Sequence, residues 1–363
     1  DFSLREGDVY TEFDRIIEPR EQLDVLDASG CIVAPGFIDI HIHGANRSDF
    51  CENSLEAHAN MARYLASVGV TSYLGTTMAM KKPALLDMVR TAGKFMDHPT
   101  QDGAIMRGIN LEGPFASLEK KGAMDPNNLI DPDYDFFIQL NDACDGRIRL
   151  NDVAPELPGA LDLIARTSKI CVVSLHHTAA DYELAKEAFM LGASHVTHLY
   201  NAMSGFSHRA PGLIGAAADF AGSVELISDG HHVHPAAVRI AFKIFGDDRV
   251  CLISDAMMAC GMPDGDYELG GQKVMVKDGL ATLASGTIAG SATPLTESFR
   301  RAVVKFGIPV ESALRAATAN PARVLSMQDE IGSIAVGKRA DLTLFDAETL
   351  EVRHCVLGGK LLF

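Results

Sequence analysis

Along most of the chain, short apolar runs alternate with amphipathic stretches. The runs Ile32–Ile42, Val70–Thr77, Ile105–Leu111, Arg147–Val153, Ile170–His176, His195–Tyr200, Val224–Ser228 and Val250–Ser254 read as eight strands. Helical spacing of apolar residues marks Leu55–Val68, Lys82–Asp97, Tyr182–Leu191 and Pro235–Phe245 between them, with Leu295–Phe306 and Val310–Ala319 completing the wall. Strand–helix alternation of this kind predicts a parallel sheet. Eight such units within about 300 residues predict a closed α/β fold, a (β/α)8 TIM-like barrel. An open doubly wound sheet would carry a Gly-rich phosphate loop after its first strand. Here that strand runs into HIHGAN, which is not such a loop.

The two ends read differently. Short strands and turns (Glu6-Gly7-Asp8, Ser29-Gly30) occupy the start, and Gly-broken strands (Gly337, Gly358-Gly359) fill Ile331–Phe363. Residues 1–34 and 331–363 are therefore expected to pair as one small β-sandwich domain, with 35–330 forming the barrel. Tyr267–Thr287 is also rich in β-formers and glycine.

Composition narrows the function. The 363 residues, 47% hydrophobic and 22% charged, suit a globular protein with a large core. The 32 Lys+Arg against 48 Asp+Glu give a net charge of −16, which argues against nucleic acid or an anionic membrane as partner. No apolar run reaches the roughly 18–20 residues of a membrane span, and no signal peptide is recognisable. Seven scattered cysteines without a CxxC pair point to a reduced, cytoplasmic protein. Of the 13 histidines, eight fall between His176 and His234, which directs attention to metal chemistry.

His41 and His43 end the first strand. Side chains at i and i+2 share a face, so both imidazoles can face the barrel mouth and hold one ion. The alternative is a packing or hydrogen-bonding role. Glu112 follows the third strand, where a buried carboxylate needs a partner or a metal, or else serves as a cap. His176 and His177 end the fifth strand. Alternation lets at most one of them point inward and does not choose which. His198 ends the sixth strand, and Asp255 the eighth, where a carboxylate can take a proton from a metal-activated water. Gathered at the strand ends of a barrel, these residues form an active-site set of nitrogen and oxygen donors. Such a set suits Zn²⁺, and also Fe²⁺, Mn²⁺, Co²⁺ or Ni²⁺. Arg209, with His231, His232 and His234 after Asp229-Gly230, offers donors for a phosphate, or merely a charged surface loop. Backbone N–H groups at Asn201-Ala202 could add to them.

PGFIDIHIHG, LEGPF with KKGA eight residues beyond Glu112, VAPE, THLYNAM, APGLIGAA, SDGHHVHP, LISDA, GTIAGSA and GSIAVGKRADLTLFD together resemble the amidohydrolase superfamily. Within it they resemble the family that deacetylates N-acetylglucosamine 6-phosphate, and the likeness spans the chain. The resemblance implies a metal held by Glu112, His177 and His198, with His177 matching a G-H-[ST] pattern whose glycine is His176 here. His41 and His43 imply a second metal bridged by Glu112, hence one or two divalent ions per subunit. It implies Asp255 as the general acid/base. It also implies a phosphosugar bound by Asn201, Ala202, Arg209 and the segment Asp229, Gly230, His231 and His232, with Ala123, Ile288, Ala289 and Gly290 lining the pocket. A homodimer with shared sites is implied as well. The implied reaction converts N-acetyl-D-glucosamine 6-phosphate to D-glucosamine 6-phosphate and acetate, with the galactosamine epimer as the nearest alternative. One departure stands out: the family has His or Gln after KKGA, and Met124 stands there, which cannot donate a hydrogen bond. A cyclic-amide hydrolase with two metals would need a lysine after strand four, but that strand runs into Asn151-Asp152-Val153-Ala154-Pro155-Glu156. A barrel kept only as a binding module would show eroded ligands, and none is eroded here.

Overall fold

A computed structural model of the chain describes residues 2–21 and 25–363. The expected strands within residues 1–34 are therefore assessed without residues 1 and 22–24. The central element is an eight-stranded parallel sheet in sequential order. Its strands are β1 (Phe37–Ile42), β2 (Val70–Thr76), β3 (Ile105–Leu111), β4 (Ile148–Val153), β5 (Val172–Leu175), β6 (His195–Val196), β7 (Ser223–Ile227) and β8 (Val250–Ile253). Every residue of β1 and β2 is buried, as befits strands covered on both faces. Each of the eight expected strands is present. The first is divided: Cys31–Pro35 pairs with the chain end, and the barrel strand starts at Phe37. Gly36 is the joint, because a side chain there would run into Thr71.

The seam between β8 and β1 is joined at their carboxyl ends. Asp255 N–H donates to His41 O (3.0 Å), and His43 and Gly44 N–H donate to Ala256 O (2.8 and 3.0 Å). Asp39, inside β1, accepts from Ser254 N–H at 3.2 Å. This nearly closes the sheet into a barrel, and helices pack around it. Their starts are legible in the sequence: Ser54, Asp133 and Asp181 cap Leu55–Ser67, Tyr134–Ala143 and Tyr182–Met190 through their side-chain oxygens. No helix among the described residues is long and apolar enough to cross a membrane.

β6 is shorter than expected. Pairing stops at Val196, because the Glu225 carboxylate on β7 takes His198 N–H (3.1 Å) and Glu225 O takes Leu199 N–H (2.9 Å). The chain then turns through left-handed residues at His198, Tyr200 and Ala202.

The chain ends meet as expected. Cys31–Pro35, Leu342–Asp346, Val352–Leu357 and Lys360–Leu361 form one antiparallel sheet. A hairpin of Tyr10–Glu12 and Arg15–Ile17 contacts it through Arg15 and Arg339. The sheet is locked to the barrel by Phe37, Phe299 and Phe345, whose ring centroids are 5.1–5.2 Å apart. Thr343 also donates to Gly69 O at 2.7 Å. The β-rich stretch after β8 forms a separate three-stranded sheet (Gly265–Leu269, Gln272–Lys277, Leu280–Thr282). Tyr267, Leu269, Val274 and Val276 pack it onto Met78, Met124 and Met257 rather than onto the terminal sheet.

Candidate metal and hydrolytic site

The residues singled out in the sequence follow the carboxyl ends of the barrel strands, the face where barrel enzymes carry their chemistry. Glu112 lies at the centre. Its Oε1 is 3.1 Å from His198 Nε2, 3.3 Å from His177 Nε2 and 3.7 Å from His41 Nε2, and its Oε2 is 3.3 Å from His43 Nε2. Asp255 Oδ1 approaches His43 Nε2 (3.2 Å) and His41 Nε2 (3.6 Å). All six side chains are buried. Two groups able to hold a metal share Glu112: His41 with His43, and His177 with His198.

Backbone geometry delivers three of these side chains. His177, His198 and Asp255 have φ of 39°, 28° and 48°, left-handed values that residues with a side chain seldom adopt. Each lies just past its strand's end, so strand alternation no longer governs it. His176 and His177 accordingly both approach Glu112, against the expectation that at most one would point inward. Gly122 makes room for the His177 ring: a Cβ there would lie 2.9 Å from its Cε1, and φ is +55°.

The ring nitrogens are sorted by their outer bonds. His41 Nδ1 donates to Glu225 Oε2 (2.9 Å), and His177 Nδ1 donates to Lys120 O (2.7 Å). Both rings thus turn an Nε2 lone pair toward Glu112. His41 Nε2 is then only 3.3 Å from His43 Nε2, and His177 Nε2 only 3.1 Å from His198 Nε2. Two protonated nitrogens would repel at those distances; without an ion His43 and His198 Nε2–H can donate to the facing lone pair, and with one bound both lone pairs can aim at it. Burial opposes charge on Glu112 and Asp255, but the neighbouring imidazoles outweigh it and hold both carboxyls below their ordinary range, Glu112 well below. Burial likewise opposes protonation of His43, but the Asp255 and Glu112 carboxylates raise it to about 9. His41 is raised well above its ordinary value against the same opposition, by Glu225, Glu112 and Asp255. The site therefore calls for positive charge among buried carboxylates. Converging imidazole nitrogens and carboxylate oxygens fit a divalent transition metal.

The predicted ligand-pocket residues divide into two sets. Ile288, Ala289 and Gly290 lead into Ser291, whose N–H donates to Asp255 O at 2.7 Å. Gly290 (φ +64°) has its Cβ position 3.1 Å from Asp255 O, so a side chain there would crowd the carboxylate's backbone. Ala123 belongs to the turn beside His177, and its carbonyl accepts from Gln272 Nε2. Asn201 caps its own turn, its amide donating to His198 O (3.1 Å) and Leu199 O (3.3 Å), and Ala202 O accepts from Thr178 N–H (3.1 Å). Asp229 grips its own loop: its carboxylate accepts from His231 N–H (2.9 Å), His232 N–H (3.0 Å) and His232 Nδ1–H (2.7 Å), beside Gly230. Burial pulls His232 down, but Asp229, and Asp255 beyond it, raise its pKa above the ordinary value. Arg209 stands apart. It is exposed at the tip of a turn closed by Ser207 and Ala210, and no contact joins it to the buried cluster. Met124 is buried in the apolar layer under the three-stranded sheet.

Glu225 was missed by sequence reasoning. It is wholly buried, accepts from both His41 Nδ1 and His198 N–H, and ties the two ligand groups together. Its signal was available: a lone acid inside the otherwise apolar run Val224–Ile227.

Comparison with known proteins gives the family. The family described as the Amidohydrolase family matches residues 32–362. A Bacillus subtilis (strain 168) N-acetylglucosamine-6-phosphate deacetylase is 37% identical over 337 residues, covering 92% of this chain and 85% of its own. An Escherichia coli O157:H7 N-acetylgalactosamine-6-phosphate deacetylase is 35% identical, covering 93% of this chain and 90% of its own. Among solved structures, that of a Mycobacterium smegmatis N-acetyl-D-glucosamine-6-phosphate deacetylase mutant in complex with N-acetyl-D-glucosamine 6-phosphate superposes with a TM-score of 0.90 at 32% identity, covering 97% of this chain and 93% of the other.

Proposed function

The chain belongs to the amidohydrolase family, and from that premise we propose that it hydrolyses the acetamide of N-acetyl-D-glucosamine 6-phosphate to D-glucosamine 6-phosphate and acetate. The observation that carries this reading is the convergence of His41, His43, His177 and His198 on the buried Glu112 carboxylate, with Asp255 beside His41 and His43. Glu112, His177 and His198 would hold one divalent cation, and His41 and His43 with Glu112 a second. The ligand chemistry favours zinc, with iron, manganese, cobalt or nickel also suited to it. Bound there, the metal supplies Lewis acidity, which acidifies water and polarises the amide carbonyl.

The residues of the chain do the rest. Asp255, held as carboxylate by the surrounding imidazoles, accepts the proton of the attacking water. It then returns that proton to the departing nitrogen. The seam hydrogen bonds from Asp255 N–H to His41 O and from Ser291 N–H to Asp255 O fix its position. His232, anchored by Asp229, presents its free Nε2 to the sugar phosphate. The Asn201-Ala202 turn and residues 288–290 border the sugar. Arg209, exposed in its own subunit, reaches the phosphate of a partner's site in a homodimer. A cytoplasmic setting fits the seven free cysteines.

Asp255→Asn tests the assignment. The expected result is a fall of at least about 10³-fold in kcat, with bound metal retained. An unchanged kcat would refute it. A second reading is deacetylation of the galactosamine epimer, favoured by the Escherichia coli relative; Met124, apolar where the family places a donor, removes a contact that would discriminate the sugars. Acetate release from the two 6-phosphosugars, compared by kcat/KM, separates them.

A further inference from the structure

One step deeper in the barrel lies a second polar group that the proposed reaction does not use. Asp152, inside β4, and His176, just past β5, are wholly buried. Neither Asp152 oxygen and neither His176 ring nitrogen makes a hydrogen bond of full geometry, although the Thr197 hydroxyl stands near Asp152 and the Phe115 backbone near His176. Their closest approach, His176 Nδ1 to Asp152 Oδ2, is 3.9 Å. That is too long for a hydrogen bond. It is shorter than the span of two ligand bonds of about 2.1 Å to one ion. Glu112 completes the set, since one ligand atom from each of Glu112, Asp152 and His176 lies within 4.8 Å of the others.

Native interiors rarely leave an acid and an imidazole side by side without partners, and a bound cation or water is the usual reason when they do. A water could satisfy part of the set. An acid, an imidazole and a shared acid facing one point also make a nitrogen-and-oxygen donor set for a divalent transition metal. The family resemblance assigns neither residue a role, since it has glycine at the position of His176.

We propose that Glu112, Asp152 and His176 form an additional divalent-cation position, set deeper than the two positions at the barrel mouth and sharing Glu112 with them. The position is independent of the hydrolase reading except for that shared carboxylate.

The test is a crystal structure of the holoenzyme equilibrated with Mn²⁺, with diffraction recorded above and below the manganese absorption edge. The expected result is an anomalous peak bonded to Asp152 and His176. Purified protein should also hold one metal ion per subunit more than His176→Gly or Asp152→Asn, counted by plasma mass spectrometry. No anomalous peak at Asp152 and His176, whether the point is empty or holds only water, overturns the proposal. Equal metal counts in the wild type and a folded variant overturn it as well. Should one variant fail to fold, the other variant and the wild-type map decide. Failure here, with metal at the mouth and acetate release intact, leaves the hydrolase reading standing. Absence of acetate release overturns that reading on its own.

Discussion

At the scale of single residues, the outer nitrogens of the site histidines carry as much weight as the inner ones. Glu225 fixes His41 through Nδ1 and fixes the backbone of His198, so it orients one ligand from each metal group. Glu225→Gln should therefore weaken metal binding about 10–100-fold while the chain still folds, as read by chelator competition. Sequence alone picked out His41, His43, Glu112, His198 and Asp255, because strand ends and spacing identify them. Strand alternation does not choose between His176 and His177, because the strand ends at Leu175 and His177 then turns through a positive φ; only the family resemblance points to His177. Histidine also serves away from the site. His58 is buried between Phe50 and Phe95, with ring centroids 5.0 and 5.6 Å away, and burial lowers its pKa to about 4. The unfolded chain takes up that proton near pH 6.5, so below that value acid favours unfolding until the folded-state ring also protonates near pH 4. Between pH 7.5 and 5 the wild type should lose roughly 2 kcal/mol more stability than His58→Leu, measured by urea titration at both pH values.

At the scale of elements, the strand ends and the turns after them decide the geometry. Gly122 shows how tightly they fit, since the turn it belongs to presses on the Nδ1–Cε1 edge of the His177 ring. Gly122→Ala should displace that ring and reduce both metal affinity and kcat by about tenfold or more. Equal values for variant and wild type in metal titration and turnover would refute this. The eight strands were legible because buried parallel strands are apolar on both faces. The truncation of β6 was not, because it depends on a carboxylate from the next strand taking the His198 N–H. The placement of the Tyr267–Thr282 sheet was also hidden. Its alternation marks strands, but nothing local says that Met78, Met124 and Met257 lie beneath them.

At the scale of the whole molecule, the chain ends form a sheet that the phenylalanine trio clamps to the barrel, and the site sits at the opposite end of the strands' course. The described chain does not bring Arg209 to the buried cluster, and the proposed homodimer would supply it from the partner subunit. Co-expression of Arg209→Ala with Asp255→Asn subunits should restore turnover at low substrate, since mixed dimers would pair one intact carboxylate with one intact arginine. Activity no higher than the two variants measured apart would refute shared sites. The seam between β8 and β1 carries the last consequence. The hydrogen bonds that shut the barrel belong to His41, His43, Asp255 and their neighbours, so the first and last staves carry half of the reactive set across their joint. Parting that seam would disarm the catalyst at once, because it displaces His41, His43 and Asp255 together. Its lifetime at elevated temperature would then follow a single exponential decay, set by how often one joint opens.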